Sequence, residues 1–310
     1  MPFAFRDVIS ILDYSREDLE LLFKTTDKIR ELLEKKSSLN YLYGKIAALL
    51  FLEPSTRTMY SFQTAVYRLG GKALVFTSEQ ATSLAKGENY ADTIRMFDSY
   101  SDVIIIRSKY EGTARFAAEI AEKPVINGGD GRHEHPTQAM IDLYTIRYFF
   151  GRIDGLTIGI LGDLKYARTI ASLLYGLTLY NPRKIYLISP GVLRLREEVR
   201  KKILERNLPI TEVSRLDEVI EELDVLYVTR IQKERYPDPI EYEKVKNLYK
   251  ITPETLSKVK ENFKILHPLP KIDEIDPRID NTKYAGYFQQ AKLGVPLRMA
   301  LLLLVLGLWR

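Results

Sequence analysis

The sequence contains no cysteine. A disulfide framework, a thiolate nucleophile and any cysteine-based zinc or iron–sulfur site are thereby excluded. Histidine is nearly as scarce, at three residues. His133 and His135 invite a metal reading, but they need at least a third ligand and the only other histidine is His267, so no metal site is expected. Long hydrophobic runs are missing too. The strongest, Met299 to Trp309, has about half of the ~20 residues that cross a bilayer, and Arg298 stands just before it. It is expected to form a buried C-terminal helix without membrane contact. Met1 to Asp7 hold no basic segment leading into an apolar one, so no signal peptide is expected and the location is expected to be cytoplasmic. No low-complexity tract suggests disorder.

What is present is globular in kind. Hydrophobic residues make up 45% and charged residues 28% of 310 residues, a length that suits two domains. The net charge is +5, but the basic residues are spread along the chain beside acidic ones. Arg196 to Arg206 (REEVRKKILER) has the spacing of a solvated helix face with ion pairs, so no nucleic-acid partner is expected. Twenty tyrosines, high charge and absent cysteine lean towards a heat-tolerant source.

Two successive alternations of strand and helix patterns run along the chain. In the first, Glu17 to Lys36 has helical apolar spacing, with Ser15 as cap and Asp18 three residues on. Lys45 to Leu52 is a short continuous apolar run, as in a strand buried on both faces. A helix over Thr58 to Leu69 ends at Gly70-Gly71; strands follow at Lys72 to Phe76 and Val103 to Ile106, a helix at Arg115 to Ala121, and a strand at Pro124 to Asn127. Pro136 to Phe150 reads as a helix. In the second alternation, strands are expected at Thr157 to Leu161, Lys184 to Ser189, Val225 to Val228 and Lys264 to Leu266, with helices at Ala167 to Leu179, Leu193 to Glu205, Leu216 to Glu222 and Pro253 to Val259. The fold class is therefore α/β: two parallel-sheet domains, with an apolar C-terminal helix after the second sheet.

Several motifs could carry chemistry. Glu53-Pro54-Ser55-Thr56-Arg57-Thr58 follows a buried strand and opens a helix, gathering hydroxyls, a guanidinium and backbone N–H groups where an anion is favoured; a plain cap with a surface arginine is the alternative. Ser83 to Glu88 puts Lys86 beside a glycine, which alone reads as a solvated loop. Arg107 stands at a strand end, where open α/β sheets bind ligands. Gly128 to Gln138 reads as a flexible loop running into a helix, with His135 suited to donating to a substrate oxygen. Gly159 to Leu164 resembles a dinucleotide turn but lacks the central glycine. Arg168 and Arg230 each follow a strand and are spaced for two carboxylate contacts, or for structural ion pairs. In His267-Pro268-Leu269-Pro270, two prolines leave carbonyls outside any strand ladder, available to an amine or amide.

Taken together, in chain order, these motifs resemble the aspartate and ornithine carbamoyltransferase family, over Leu52 to about Ala291. Ser55-Thr56-Arg57-Thr58 looks like its carbamoyl phosphate signature and His135-Pro136-Thr137-Gln138 like its second. Gly162 to Arg168, Thr229 to Glu234 and His267 to Pro270 look like the aspartate branch; the ornithine branch typically has a cysteine where Pro268 stands. The resemblance implies transfer of a carbamoyl group from carbamoyl phosphate to L-aspartate, with no cofactor. Ser55, Thr56, Arg57 and Thr58 would hold the phosphate, and Arg107 would bridge it to the carbonyl oxygen. Thr58, Arg107 and His135 would polarise the carbonyl. Gln138 and the carbonyls of Leu269 and Pro270 would take the carbamoyl amine, and Arg168, Arg230 and Gln232 the aspartate carboxylates. Ser83 and Lys86 would reach into the neighbouring subunit's site, so the partners would be sister chains of a homotrimer, with regulatory chains optional. Met59 departs from the family, which often has a basic residue there.

The resemblance implies that residues 1–136 plus 293–310 form the carbamoyl phosphate domain, the C-terminal helix returning to it, and 137–292 the aspartate domain, with the active site in the cleft. Closure would move the loops around Ser83 and from Arg235 to Asn247. The five cations Arg57, Lys86, Arg107, Arg168 and Arg230 would face about four negative charges, two on the phosphate and two on aspartate. The rival readings are a transcarbamoylase for another amine, a silent carbamoyl phosphate-binding scaffold and a dinucleotide-binding oxidoreductase.

Overall fold

The computed structural model describes residues 3–77, 87–230 and 249–309. The chain divides into two compact units, Met1–Ile141 with Leu293–Arg310, and Asp142–Lys292. Each is built on a parallel sheet.

The first unit opens with α1 (Arg16–Lys35). Ser15 caps it in a reciprocal box: Asp18 N donates to Ser15 Oγ at 3.2 Å and Ser15 N to Asp18 Oδ2 at 2.9 Å. Such a cap contributes about 1 kcal/mol. The sheet comprises β1 (Ile46–Phe51), β2 (Lys72–Phe76), β3 (Val103–Ser108) and β4 (Val125–Asp130), in the order β2-β1-β3-β4, all parallel. Their connections contain α2 (Thr56–Arg68), α3 (Tyr90–Tyr100) and α4 (Thr113–Ile120). Ala48, Leu50, Ile104, Ile106 and Val125 form a core with Ile94, Ala114 and Ala117. Strands covered on both faces explain why their sequences are continuous apolar runs. β2 is an edge strand, and Leu74 and Val75 on it are exposed. Residues near Val8 add a short parallel bridge to Ile126 beside β4.

The second unit holds β5 (Thr157–Leu161), β6 (Lys184–Ile188), β7 (Ile210–Val213), β8 (Val225–Val228) and β9 (Lys264–Leu266), in the order β7-β6-β5-β8-β9, again all parallel. Helices α6 (Arg168–Leu177) and α7 (Glu197–Glu205) belong to it. Its core includes Leu161, Ile188, Leu226, Val228, Phe263, Ile265 and Tyr287. The charged stretch after Arg196 carries the helix-spaced ion pairs expected of a solvated face, Arg200–Glu197 at 3.8 Å and Lys201–Glu205 at 4.0 Å.

Two helices cross the division in sequence: α5 (Pro136–Phe150) and α8 (Tyr287–Val305). α8 is long and apolar enough to span a membrane by length and composition, but 72% of that window is buried in the protein. Leu297 and Met299 to Val305 are core residues.

Five elements depart from expectation. α3 and β7 have no counterpart among the expected elements. The helix expected over Leu216 to Glu222 is a pair of 3-10 turns, broken at Val219 (φ −136°, ψ −8°). The helix expected over Pro253 to Val259 is one 3-10 turn, Thr255–Lys258. α8 starts at Tyr287 and continues through Pro296, whose missing N–H and ring do not end it.

Candidate active site

In each sheet the first strand lies inside, with later strands added on both sides. The crevice where strand order reverses, at the carboxyl ends, is where open α/β sheets bind ligands. In the first unit that point lies between β1 and β3, and in the second between β5 and β8.

At the first switch point, β1 runs out at Phe51 and α2 begins at Thr56, with Ser55 as its N-cap. Ser55 makes no capping bond through its side chain. Hydroxyls of Ser55 and Thr56 and the Arg57 guanidinium thus stand at the positive end of a helix of 13 residues. Partial desolvation lowers the pKa of Arg57 from its ordinary value. Thr58 faces inward, 6% exposed, and its Oγ1 lies 3.4 Å from His135 Nε2. Thr137 Oγ1 lies 3.4 Å from His135 Nδ1, so the buried ring is flanked by a hydroxyl on each nitrogen.

Arg107 lies within β3, where it follows Ile106. Its Nη1 donates to Gly128 O at 3.0 Å, and Nε stands 3.4 Å from Glu53 Oε2. Gly128 explains the convergence. A Cβ there would sit 3.2 Å from Ile106 O and 3.6 Å from Thr58 Cγ2, so glycine lets β4 press against both. The structure therefore brings Thr58, Arg107 and His135 into one cluster. Cation, hydroxyl and imidazole around one point can stabilise negative charge developing on an oxygen.

The segment expected to be a flexible loop is tied down. Gly128 to Asp130 belong to β4. Asp130 Oδ1 accepts from Asn127 Nδ2 at 3.0 Å and Glu134 N at 3.2 Å, and Oδ2 accepts from Gly112 N at 3.0 Å. Glu134 accepts from Ser10 Oγ at 2.6 Å and Ile11 N at 3.2 Å. These five hydrogen bonds, four of them buried, hold the approach to His135. His133 instead lies half-exposed, 3.4 Å from Asp130 Oδ2, and that contact raises its pKa despite some desolvation. Gln138 follows in the first turn of α5.

At the second switch point, Gly162 leaves β5 with φ +118°, and a Cβ there would lie 2.2 Å from Thr229 O. The glycine serves a close approach to the end of β8, which accounts for it without a pyrophosphate. Asp163 N donates to Thr229 Oγ1 at 3.2 Å, while Asp163 Oδ1 accepts from Lys165 N at 3.1 Å and Tyr166 N at 2.8 Å. This turn delivers Arg168 as the first residue of α6, 9% exposed. Arg230 directly follows Thr229. The two arginines thus emerge from neighbouring strand ends fastened to each other, as a pair of carboxylates would require.

His267 closes β9, beside β8. Leu269 has φ +60° and the Leu269–Pro270 peptide is cis. Ser83, Lys86, Gln232 and the segment Arg235 to Asn247 lie outside the described residues. Glu53, Gly128, Asp130, Asp163 and Thr229 are positioning residues to which the motifs gave no role.

Both halves of the chain match family models. Residues 6–148 match "Aspartate/ornithine carbamoyltransferase, carbamoyl-P binding domain" and residues 154–305 match "Aspartate/ornithine carbamoyltransferase, Asp/Orn binding domain". The chain belongs to the aspartate/ornithine carbamoyltransferase family. Its similar relatives stand on the aspartate side. The "Aspartate carbamoyltransferase catalytic subunit" of Staphylothermus marinus is 74% identical over 310 residues, covering 100% of both chains. That of Thermococcus kodakarensis is 53% identical, covering 99% of each. Among solved structures, the catalytic subunit of M. jannaschii aspartate transcarbamoylase has a TM-score of 0.89 at 47% identity, over 96% of each chain. Aspartate transcarbamoylase from Trypanosoma cruzi in complex with carbamoyl phosphate has a TM-score of 0.94 at 36% identity, over 98% of this chain and 97% of that one.

Proposed function

We propose that the chain transfers the carbamoyl group of carbamoyl phosphate to the amine of L-aspartate, giving N-carbamoyl-L-aspartate and phosphate. The observation that carries the reading is the pair of switch points. One gathers Thr58, Arg107 and His135 beside the N-terminus of α2; the other fastens together the strand ends that lead to Arg168 and Arg230. The relatives' names and the Trypanosoma cruzi complexes with carbamoyl phosphate and aspartate support it.

Ser55, Thr56, Arg57 and Thr58 hold the phosphate, with Arg107 bridging to the carbonyl oxygen. Arg107, Thr58 and His135 stabilise that oxygen as the neutral amine attacks and a tetrahedral centre forms. Gln138 and the carbonyls of Leu269 and Pro270 fix the carbamoyl amine. Arg168, Arg230 and Gln232 take the two carboxylates of aspartate, whose orientation puts its amine in line. A C–N bond forms, the C–O bond to phosphate breaks, and the departing phosphate takes the amine proton. Positioning and fixed charge carry the catalysis.

In this reading residues 1–136 with 293–310 form the carbamoyl phosphate-binding domain and 137–292 the aspartate-binding domain. The enzyme serves de novo pyrimidine biosynthesis in the cytoplasm. It works as a homotrimer in which Ser83 and Lys86 complete a neighbour's site; the exposed apolar edge strand β2 supports a partner-covered surface. The decisive assay incubates the chain with carbamoyl phosphate and either L-aspartate or L-ornithine. Carbamoyl aspartate as sole product is expected; carbamoyl ornithine, or no product, overturns the reading.

A further inference from the structure

Leu269 sits in the left-handed backbone region at φ +60°, which a leucine rarely adopts unless its surroundings fix it. The surroundings are specific. Leu269 N donates to His267 Nδ1 at 2.7 Å. An imidazole nitrogen that accepts carries no proton, so the ring proton is on Nε2, which lies 2.7 Å from Glu274 Oε1 and donates to it. Glu274 Oε2 accepts from Ile272 N at 3.0 Å and Asp273 N at 3.1 Å, gripping the far side of the turn. Burial works to raise the Glu274 pKa, but the bond from His267 and the backbone donors hold it below the ordinary value. On the near side, His267 N donates to Gln290 Oε1 at 2.8 Å, and Gln290 Nε2 donates to Asp142 Oδ1 at 2.6 Å. His267 and Glu274 are both buried.

We propose that His267, held in one tautomer by Glu274, is a positioning residue that aims the carbonyls of Leu269 and Pro270 at the carbamoyl amine, and so sets the preference for a carbamoyl over an acyl phosphate. The proposal rests on the reading of those two carbonyls as amine acceptors. Neither His267 nor Glu274 touches substrate. Their effect passes through the backbone of the turn.

The test compares binding of carbamoyl phosphate with that of acetyl phosphate, which has a methyl in place of the amine. A merely structural defect would weaken both alike; a misaimed carbonyl weakens only the first. His267→Gln loses the acceptor at Nδ1 and is expected to cut the preference for carbamoyl phosphate by about tenfold, the worth of one good hydrogen bond. His267→Asn carries an oxygen at the Nδ1 position and should restore part of it. Glu274→Gln, of unchanged shape, should lower the preference as well, and it carries the test if His267→Gln does not fold. A native preference kept in the folded variants overturns the proposal alone. No preference in the unaltered protein overturns the amine-acceptor reading, and the proposal with it.

Discussion

In the proposed reaction, Arg107 and His135 divide the electrostatic work between a permanent charge and a ring flanked by two hydroxyls. Removing either donor from the developing oxyanion should lower kcat by about 10²–10³-fold. Arg107→Ala is expected to do so with both substrates still bound. His135→Ala should do so while both limbs of the pH–rate profile persist, because in the proposed reaction the phosphate, not the imidazole, receives the proton. Loss of one limb in that variant would return the role of base to His135. His133, two residues away, titrates to a different end. Its pKa is raised above the ordinary 6.5 by Asp130, so protonated His133 stabilises the folded chain. That contribution is full below the unfolded value and is lost as pH rises through the raised one. Melting curves of His133→Asn should therefore lie below those of the unaltered chain at about pH 6 and converge with them near pH 8. A constant gap would place the stabilisation elsewhere.

At the scale of elements, the turn after β5 and the end of β8 act as one piece. Gly162 cannot accept a side chain: φ +118° is strained for any other residue, and Thr229 O blocks the Cβ. Gly162→Ala should cost at least about 2 kcal/mol and raise KM for aspartate more than for carbamoyl phosphate. Equal effects on both KM values would mean that the turn does not set the arginine pair. Much of this was legible beforehand. Ser55 to Thr58, His135 to Gln138, Arg168 and Arg230 could be read from motifs because each motif sits at a strand end, where short loops fix side chains close to their own sequence neighbours. Glu53 could not, since its contact with Arg107 depends on β1 and β3 being adjacent, with Phe51 opposite Arg107. The rigidity of Asp130 to Glu134 was hidden for the same reason, its partners Ser10 and Ile11 lying far away in sequence. α3 was missed although Asn89 caps it through Asp92 N at 2.8 Å, because its apolar stripe is thin. β7 is short and only partly buried, which leaves no clear period in ITEV.

The whole molecule sets two further expectations. Relatives that cover nearly the whole chain come from Staphylothermus marinus and Thermococcus kodakarensis, and the sequence is rich in charge and tyrosine and lacks cysteine; a Tm above about 65 °C, beyond the range of ordinary mesophilic domains, is expected here. The shared-site reading makes the sharper demand. If each site takes Arg107 from one chain and Lys86 from the next, then Arg107→Ala and Lys86→Ala trimers are each impaired at every site. Dissociated, mixed and reassembled, they form hybrids whose sites run head to tail around a closed ring. Going round any hybrid ring, a chain that keeps Arg107 is followed once by a chain that keeps Lys86, so one site is intact. Random equimolar mixing leaves roughly three quarters of the trimers hybrid, so about a quarter of native specific activity should return. No gain over the parents would mean that Lys86 serves its own chain's site, and that the trimer is not part of the catalytic design.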